Sequence, residues 1–317
     1  MAFNLKQEAL KPERLTGGHR MCAGCGAPVV VRGVLRALKP EDKAVITSAT
    51  GCLEVSTFMY PYTAWNDSFI HSAFENASAT LSGAEAAYNV MKKKGKLPAG
   101  ETTKFLAFGG DGGTYDIGIQ SLSGAMERGH DMTYICYDNG AYMNTGIQRS
   151  SATPKFADTT TSPAGSAVPG KQQQRKDLTM VMAAHHLPYV AQTAPLGSKH
   201  GGFKDLHTKA EKAIYTEGAT FLNVLAPCPR GWRYDTPKLL EMTDIAVDTC
   251  VWPLYEIVDG KLTLTYIPKE KKPVEEYLKA QGRFRHVFKK GNEWMIEEIQ
   301  KEVDSIWEDL LNKNETK

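Results

Sequence analysis

Five short apolar runs limit what this chain can fold into: AVIT at 44–47, KFLAF at 104–108, TYICY at 133–137, PYVA at 188–191 and TFLNVL at 220–225. Each is brief and continuous rather than alternating apolar with polar. A strand that reads this way is buried on both faces, as inside a parallel sheet covered by helices. Helix-like segments lie between the runs. Residues 28–38 follow a CAGCG turn, residues 77–94 are Ala-rich and end in a lysine run before Gly95, and residues 116–128 end at Gly129. Glycine takes the left-handed cap that ends many helices, and lysines suit the negative end of the helix dipole. The alternation predicts an α/β fold with a mainly parallel sheet flanked by helices.

The C-terminal part has another character. Residues 235–249 look helical, and 252–267 look like a hairpin turning at Asp259-Gly260. Residues 294–311 place Met295, Ile299, Val303, Ile306 and Leu310 at spacings of three and four, an amphipathic helix. We therefore divide the chain into a cofactor-binding domain at 1–235 and a C-terminal helical and hairpin extension at 236–317, packing on the domain or on a partner. Residues 150–175 are rich in Ser, Thr, Pro and Gly. A loop that long in a compact domain is functional or disordered.

Composition excludes some classes. A net charge of +2 gives no broad electrostatic case for nucleic acid or a membrane surface. No run approaches the roughly 20 apolar residues of a membrane span. The opening MAFNLKQEALKPERL lacks the apolar centre of a secretory signal, so the cytoplasm is the expected compartment. Clustered cysteines in a reducing compartment point to metal ligation or catalysis rather than to a disulfide scaffold.

Two motifs carry chemistry. GGDGG at 109–113 follows the KFLAF strand and precedes a helix. Open α/β sheets bind ligands outside the carboxyl ends of their strands. Gly110, Gly112 and Gly113 let backbone approach a phosphate, and the following helix start favours an anion. Asp111 would repel a bare diphosphate, so the pairing makes sense with a divalent cation between them. Mg²⁺ takes one or two oxygens from side chains and the rest from phosphate and water. The next strand runs into Asp138-Asn139, and Asn139 offers an amide oxygen. Gly-Asp-Gly, helix, strand, then Asn is the pattern of thiamine-diphosphate enzymes.

The second motif is MCAGCG at 21–26. Cys22 and Cys25 alone suit a redox dithiol, half a zinc site or an iron–sulfur cluster. Cys52 in SATGC and Cys228 in APCPRGW also follow predicted strands, so all four could meet. Four thiolates hold zinc or a 4Fe–4S cluster, and the cysteines alone leave both open. The thiamine pattern favours the cluster, because a thiamine enzyme that removes electrons singly needs a carrier. Cys136 and Cys250 read as small buried hydrophobes.

These residues resemble the β subunits of the 2-oxoacid:ferredoxin oxidoreductases, and the pyruvate-oxidising branch most. The matching blocks include GHRMCAGCGAP at 18–28, ATGCLEVSTFMYPYTAW at 49–65, FGGDGGTYDIGIQSLSGAMERGH at 108–130, YDNGAYMNTGIQRSSATP at 137–154, CPRGW at 228–232 and VEEYLKAQGRFRH at 274–286. They span nearly the whole chain. The resemblance implies a thiamine-diphosphate-binding fold and oxidative decarboxylation of pyruvate to acetyl-CoA and CO₂, with electrons passing through a 4Fe–4S cluster to ferredoxin. It implies cluster ligation by Cys22, Cys25, Cys52 and Cys228. Mg²⁺ would be held by Asp111, Asn139 and the Ala141 carbonyl. Asn144 would lie near the reacting carbon, with Thr50 and Gly51 beside the cofactor. The implied partners are α, γ and ferredoxin-like δ subunits, or fused equivalents. An acidic residue is expected at 140 in many relatives, where this chain has Gly140.

Glu54 and Glu75 are read as structural or cofactor-contacting carboxylates, because in this family the catalytic glutamate is expected from the α subunit. His71, His185 and His186 are read as hydrogen-bonded core residues rather than bases. His19 and Arg20 either contact phosphate, tune the cluster or cap its turn. Relatives acting on oxalate without CoA, on branched-chain 2-oxoacids or on 2-oxoglutarate remain alternatives. A CxxC dithiol oxidoreductase would leave Cys52, Cys228 and the Gly-Asp-Gly pattern without a role. A zinc-stabilised, non-enzymatic subunit would bind no thiamine.

Overall fold

The computed structural model describes residues 3–98 and 100–315. Its centre is an eight-stranded sheet: β1 (Lys43–Ala49), β4 (Ser68–Ser72), β5 (Thr103–Gly110), β6 (Met132–Asp138), β7 (Tyr189–Thr193), β8 (Ala219–Leu225), β9 (Tyr255–Val258) and β10 (Lys261–Leu264). The order is β10-β9-β7-β8-β6-β5-β1-β4. Neighbours from β7 to β4 are all parallel, and the β9–β10 hairpin continues the sheet antiparallel beyond β7. A separate two-stranded ribbon, β2 (Phe58–Met59) and β3 (Tyr62–Thr63), stands outside it.

All five apolar runs are strands of this sheet, and β6 is buried along its whole length. Side chains alternate across it. Tyr134 and Cys136 enter a core with Leu81 of α4 (Ala77–Lys93) and Leu122 and Met126 of α5 (Ile119–Glu127). Ile135 and Tyr137 enter the opposite core, with Val30 and Val34 of α2 (Gly26–Leu35) and Leu206 and Ala210 of α7 (Lys204–Tyr215). Each such side chain contributes about 1.5–3 kcal/mol when fully buried.

Residues 239–310 share the first core. α9 (Leu239–Asp248), α10 (Val274–Lys279) and α11 (Glu293–Glu315) supply Met242, Val274, Met295, Ile299, Val303 and Leu310 to it. Ile306 departs from the expected stripe. It is 44% exposed, and Trp307 is buried instead, keeping the four-residue step from Val303. Among the described residues no helix is long and apolar enough to cross a membrane.

The topology places the chemistry. β8, β6, β5 and β1 are consecutive and parallel, so their carboxyl ends lie side by side. Those ends lead into the segments with Cys228, Asn139, Asp111 and Cys52.

Candidate functional site

β5 delivers Asp111 to the floor of a cleft. Its carboxylate is fully buried. Oδ1 accepts the Asn139 N–H at 3.2 Å, and Oδ2 accepts the Ser150 hydroxyl. Burial, with the Asp138 charge behind it, pushes this carboxyl well above the ordinary aspartate range. An acid in that position is stabilised by a proton or by a cation.

The Asn139 carboxamide lies against both Asp111 Oδ1 and the Ala141 carbonyl. With its nitrogen turned to them, the contacts are hydrogen bonds of 2.9 and 2.8 Å. With its oxygen turned to them, three oxygens converge, an arrangement that a cation or a proton on Asp111 would stabilise. In that orientation Asp111, Asn139 and Ala141 could hold a small hard cation, with phosphate and water completing its shell.

After Asp111 the chain makes one π-helical turn, Gly112–Asp116, before α5. α5 therefore starts at Ile119, three residues after the helix start expected at residue 116. Irregular turns of this type often mark functional sites. Gly112 is required for space. A Cβ there would come within 2.4 Å of the Tyr142 ring. Thr50, Gly51, Gly110, Gly112, Gly113 and Asn144 line the same cleft as Asp111, Asn139 and Ala141, with Asn144 exposed at its mouth. The Thr50 hydroxyl donates to the Ser72 carbonyl at 3.0 Å. The Tyr137 hydroxyl is buried in the cleft wall without a hydrogen-bond partner among the described residues, 2.9 Å from where a Cβ on Gly51 would stand.

Cys52 lines this cleft too and starts the short helix α3 (Cys52–Thr57). Cys228 precedes α8 (Pro229–Trp232), and its Sγ accepts the Gly231 N–H at 3.4 Å. The Cys22–Cys25 turn is clamped between these two segments. Gly26 N–H donates to the Pro227 carbonyl at 2.9 Å, and Arg20 N–H to the Ser56 carbonyl at 2.8 Å. The Tyr234 hydroxyl donates to the Gly24 carbonyl at 2.8 Å. Gly24 has φ +73°, with Thr236 backbone 2.3 Å from where its Cβ would be.

All four cysteines are free thiols. Burial pushes Cys25 and Cys52 up to about 12, and the charges of neighbouring cysteines of the set add to it. Such thiols ionise when a metal takes the proton's place. Among the described residues no three His, Cys, Asp or Glu side chains form a group that could hold a metal ion. The four thiols lie near enough for their charges to act on one another, without converging on one point. Cys136 and Cys250 lie buried in the first core, as expected.

The other candidates fall away from the cleft. Glu54 is buried, 2.7 Å from His71. Glu75 is exposed. His185 bonds Ser123 at 2.8 Å and the Val181 carbonyl at 2.9 Å, and His186 is exposed. Sequence reasoning missed Ser150 on Asp111. It also missed Arg175, bonded to Asp138 Oδ2 at 2.6 Å, and Trp232, whose indole donates to the Asn139 carbonyl at 2.6 Å. Ser150 and Arg175 both belong to the 150–175 loop, so that loop is built into the site.

The fold and the cleft define a thiamine-diphosphate-binding protein. Residues 49–224 match the family model of the thiamine pyrophosphate enzyme C-terminal TPP-binding domain. A 2-oxoglutarate:ferredoxin oxidoreductase from Magnetococcus marinus shares the fold, with a TM-score of 0.57 at 23% identity over 69% of this chain and 68% of that one. Pyruvate synthase subunit PorB of Thermotoga maritima is 48% identical over 99% of this chain and 98% of its own. The Methanocaldococcus jannaschii PorB is 52% identical over 93% and 95%. The ketoisovalerate oxidoreductase subunit VorB of Pyrococcus furiosus is 41% identical over 97% and 96%. The chain belongs to the 2-oxoacid:ferredoxin oxidoreductase family, among its pyruvate synthase β subunits.

Proposed function

We propose that this chain is the cofactor-holding subunit of a cytoplasmic pyruvate synthase, which converts pyruvate and CoA to acetyl-CoA and CO₂ and gives two electrons, one at a time, to ferredoxin. One observation carries the reading. Asp111, Asn139, Cys52 and Cys228 all follow the carboxyl ends of four adjacent parallel strands, and the Cys22–Cys25 turn is hydrogen-bonded to the segments that carry Cys52 and Cys228, which supports two neighbouring donor sets. When bound, thiamine diphosphate supplies the electron sink for decarboxylation, Mg²⁺ anchors its diphosphate, and a 4Fe–4S cluster carries electrons away.

The chain's own residues then have defined tasks. Asp111, Asn139 and the Ala141 carbonyl hold the cation. Gly110, Gly112 and Gly113 keep the floor clear, so that backbone and diphosphate meet without a side chain between them. Thr50 and Gly51 close the wall beside Cys52. Asn144, at the mouth, offers a polar side chain to the substrate. The hydrogen bonds that tie the Cys22–Cys25 turn to the Cys52 and Cys228 segments support a four-cysteine site over a two-thiol redox disulfide. The remaining parts belong to partner subunits. The carboxylate that activates thiamine comes from α, further structure from γ, and the outlet to ferredoxin from a ferredoxin-like δ.

The test is anaerobic purification of the native complex, then turnover with a panel of 2-oxoacids and oxalate, with and without CoA, using a viologen acceptor. CoA-dependent reduction with pyruvate as the preferred substrate is the expected result. Preference for a branched-chain acid or 2-oxoglutarate, or CoA-independent reduction by oxalate, would move the chain to another branch. Zinc in place of iron would overturn the electron-transfer role.

A further inference from the structure

Arg283 is a buried cation without a carboxylate. It lies in the turn Gly282–Phe288 after α10 and is 2% exposed. Its Nε donates to Gln281 Oε1 at 2.8 Å and its Nη2 to the Tyr277 hydroxyl at 3.2 Å, both neutral groups. Among the described residues no carboxylate forms an ion pair with it. The nearby Asp138 is already bonded to Arg175. Lys209, equally buried, has Asp205 at 2.9 Å. An uncompensated buried charge is strongly destabilising, so a side chain of this kind implies an anion that completes it.

The surroundings say where that anion sits. The guanidinium stacks on Trp232, 4.2 Å from the ring centroid, and Trp232 ends the helix that Cys228 begins. On its other side it packs against the Asn139–Ala141 turn, its Nη1 3.0 Å from where a Cβ on Gly140 would stand. The Trp232 backbone N–H donates to the Cys228 carbonyl at 2.9 Å, so the ring under the guanidinium lies one helical turn from that cysteine. An iron–sulfur cluster held by four thiolates is a net anion, and each electron adds negative charge. Net charge and burial are among the factors that set the potential of such a cluster.

We propose that Arg283 is the buried counter-charge of the cluster held by Cys22, Cys25, Cys52 and Cys228, favouring its reduced state and raising its reduction potential. The proposal rests on the cluster reading above. Arg283 acts through space, so its signature is a potential and not a loss of iron.

The experiment is a redox titration of the anaerobically purified complex, followed by electron paramagnetic resonance of the cluster. Arg283→Met removes the charge and keeps the stem over Trp232. Arg283→Lys restores the charge. Gln281→Glu leaves Arg283 in place but gives it a carboxylate partner, and needs no repacking should Arg283→Met fail to assemble. The expected result is a more negative midpoint in Arg283→Met and in Gln281→Glu, with Arg283→Lys close to wild type. A wild-type midpoint in Arg283→Met or in Gln281→Glu would overturn the proposal, as would equal shifts in Arg283→Met and Arg283→Lys. Absence of a reducible cluster from the wild type would defeat the cluster reading itself, a separate outcome.

Discussion

The Trp232 indole donates to the Asn139 carbonyl at 2.6 Å, so the turn after Cys228 and the turn after β6 share a hydrogen bond. Trp232 is 1% exposed, and so is shielded from water that might replace it. Trp232→Phe keeps the ring and leaves a buried carbonyl unpaired, a loss of about 1–3 kcal/mol. The expected outcome is weaker binding of thiamine diphosphate with Mg²⁺, roughly tenfold or more on the same energy scale, with iron content unchanged. Isothermal titration calorimetry and iron analysis check it. Unchanged cofactor affinity would mean that the Asn139 turn is held by its other bonds.

Much of this was legible in the chain and some was not. The parallel strands announced themselves because a strand buried on both faces must be apolar throughout, as TYICY is. Asp111, Asn139, Cys52 and Cys228 could be placed at strand ends because each follows one of those apolar runs directly. The edge strand β4 (SFIHS) hid because it is only partly buried and mixes polar with apolar. Ser150, Arg175 and Trp232 hid for another reason. Each reaches the cleft from 37 to 93 residues away in sequence, through a hydrogen bond that no local pattern encodes. Ile306 shows the limit of spacing alone, since steps of three and of four were equally allowed and Trp307 took the buried place.

The cysteines separate into two groups by position. Replacing Cys22, Cys25, Cys52 or Cys228 with Ala removes one of the four thiolates of the proposed cluster site, and the purified complex is expected to lose most of its iron and its absorbance at about 400 nm, where thiolate-bound iron–sulfur clusters absorb. Cys250→Ala removes a thiol buried among apolar side chains and is expected to keep both, losing at most about 1–2 kcal/mol of stability. Iron analysis on the five variants decides it. Full iron in any of the first four would remove that residue from the ligand set.

Gly112 faces the Tyr142 ring with no room for a side chain. Gly112→Ala must displace that ring or the floor of the cleft, at about 1–3 kcal/mol. Because the displacement falls where the diphosphate is expected, the Kd for thiamine diphosphate should rise at least several-fold while the cluster stays intact. A variant that binds thiamine diphosphate as tightly as wild type would place the diphosphate elsewhere in the cleft.

Lys171 anchors the 150–175 loop by donating to the Ser151, Thr153 and Gln174 carbonyls, and it is 1% exposed. Burial, reinforced by Arg149 and Arg175, brings its ammonium down to about 8. In the unfolded chain a lysine keeps its proton to about pH 10.4. Between those values the unfolded state binds more protons than the folded state, so this group makes stability rise with pH. Lys171→Met cannot titrate. The stability of wild type relative to Lys171→Met is therefore expected to grow from about pH 8 to about pH 10, by about 1 kcal/mol per unit. Denaturant unfolding of the two proteins across that range measures it. A difference independent of pH would mean that the lysine keeps the same affinity for its proton in the folded and unfolded chains.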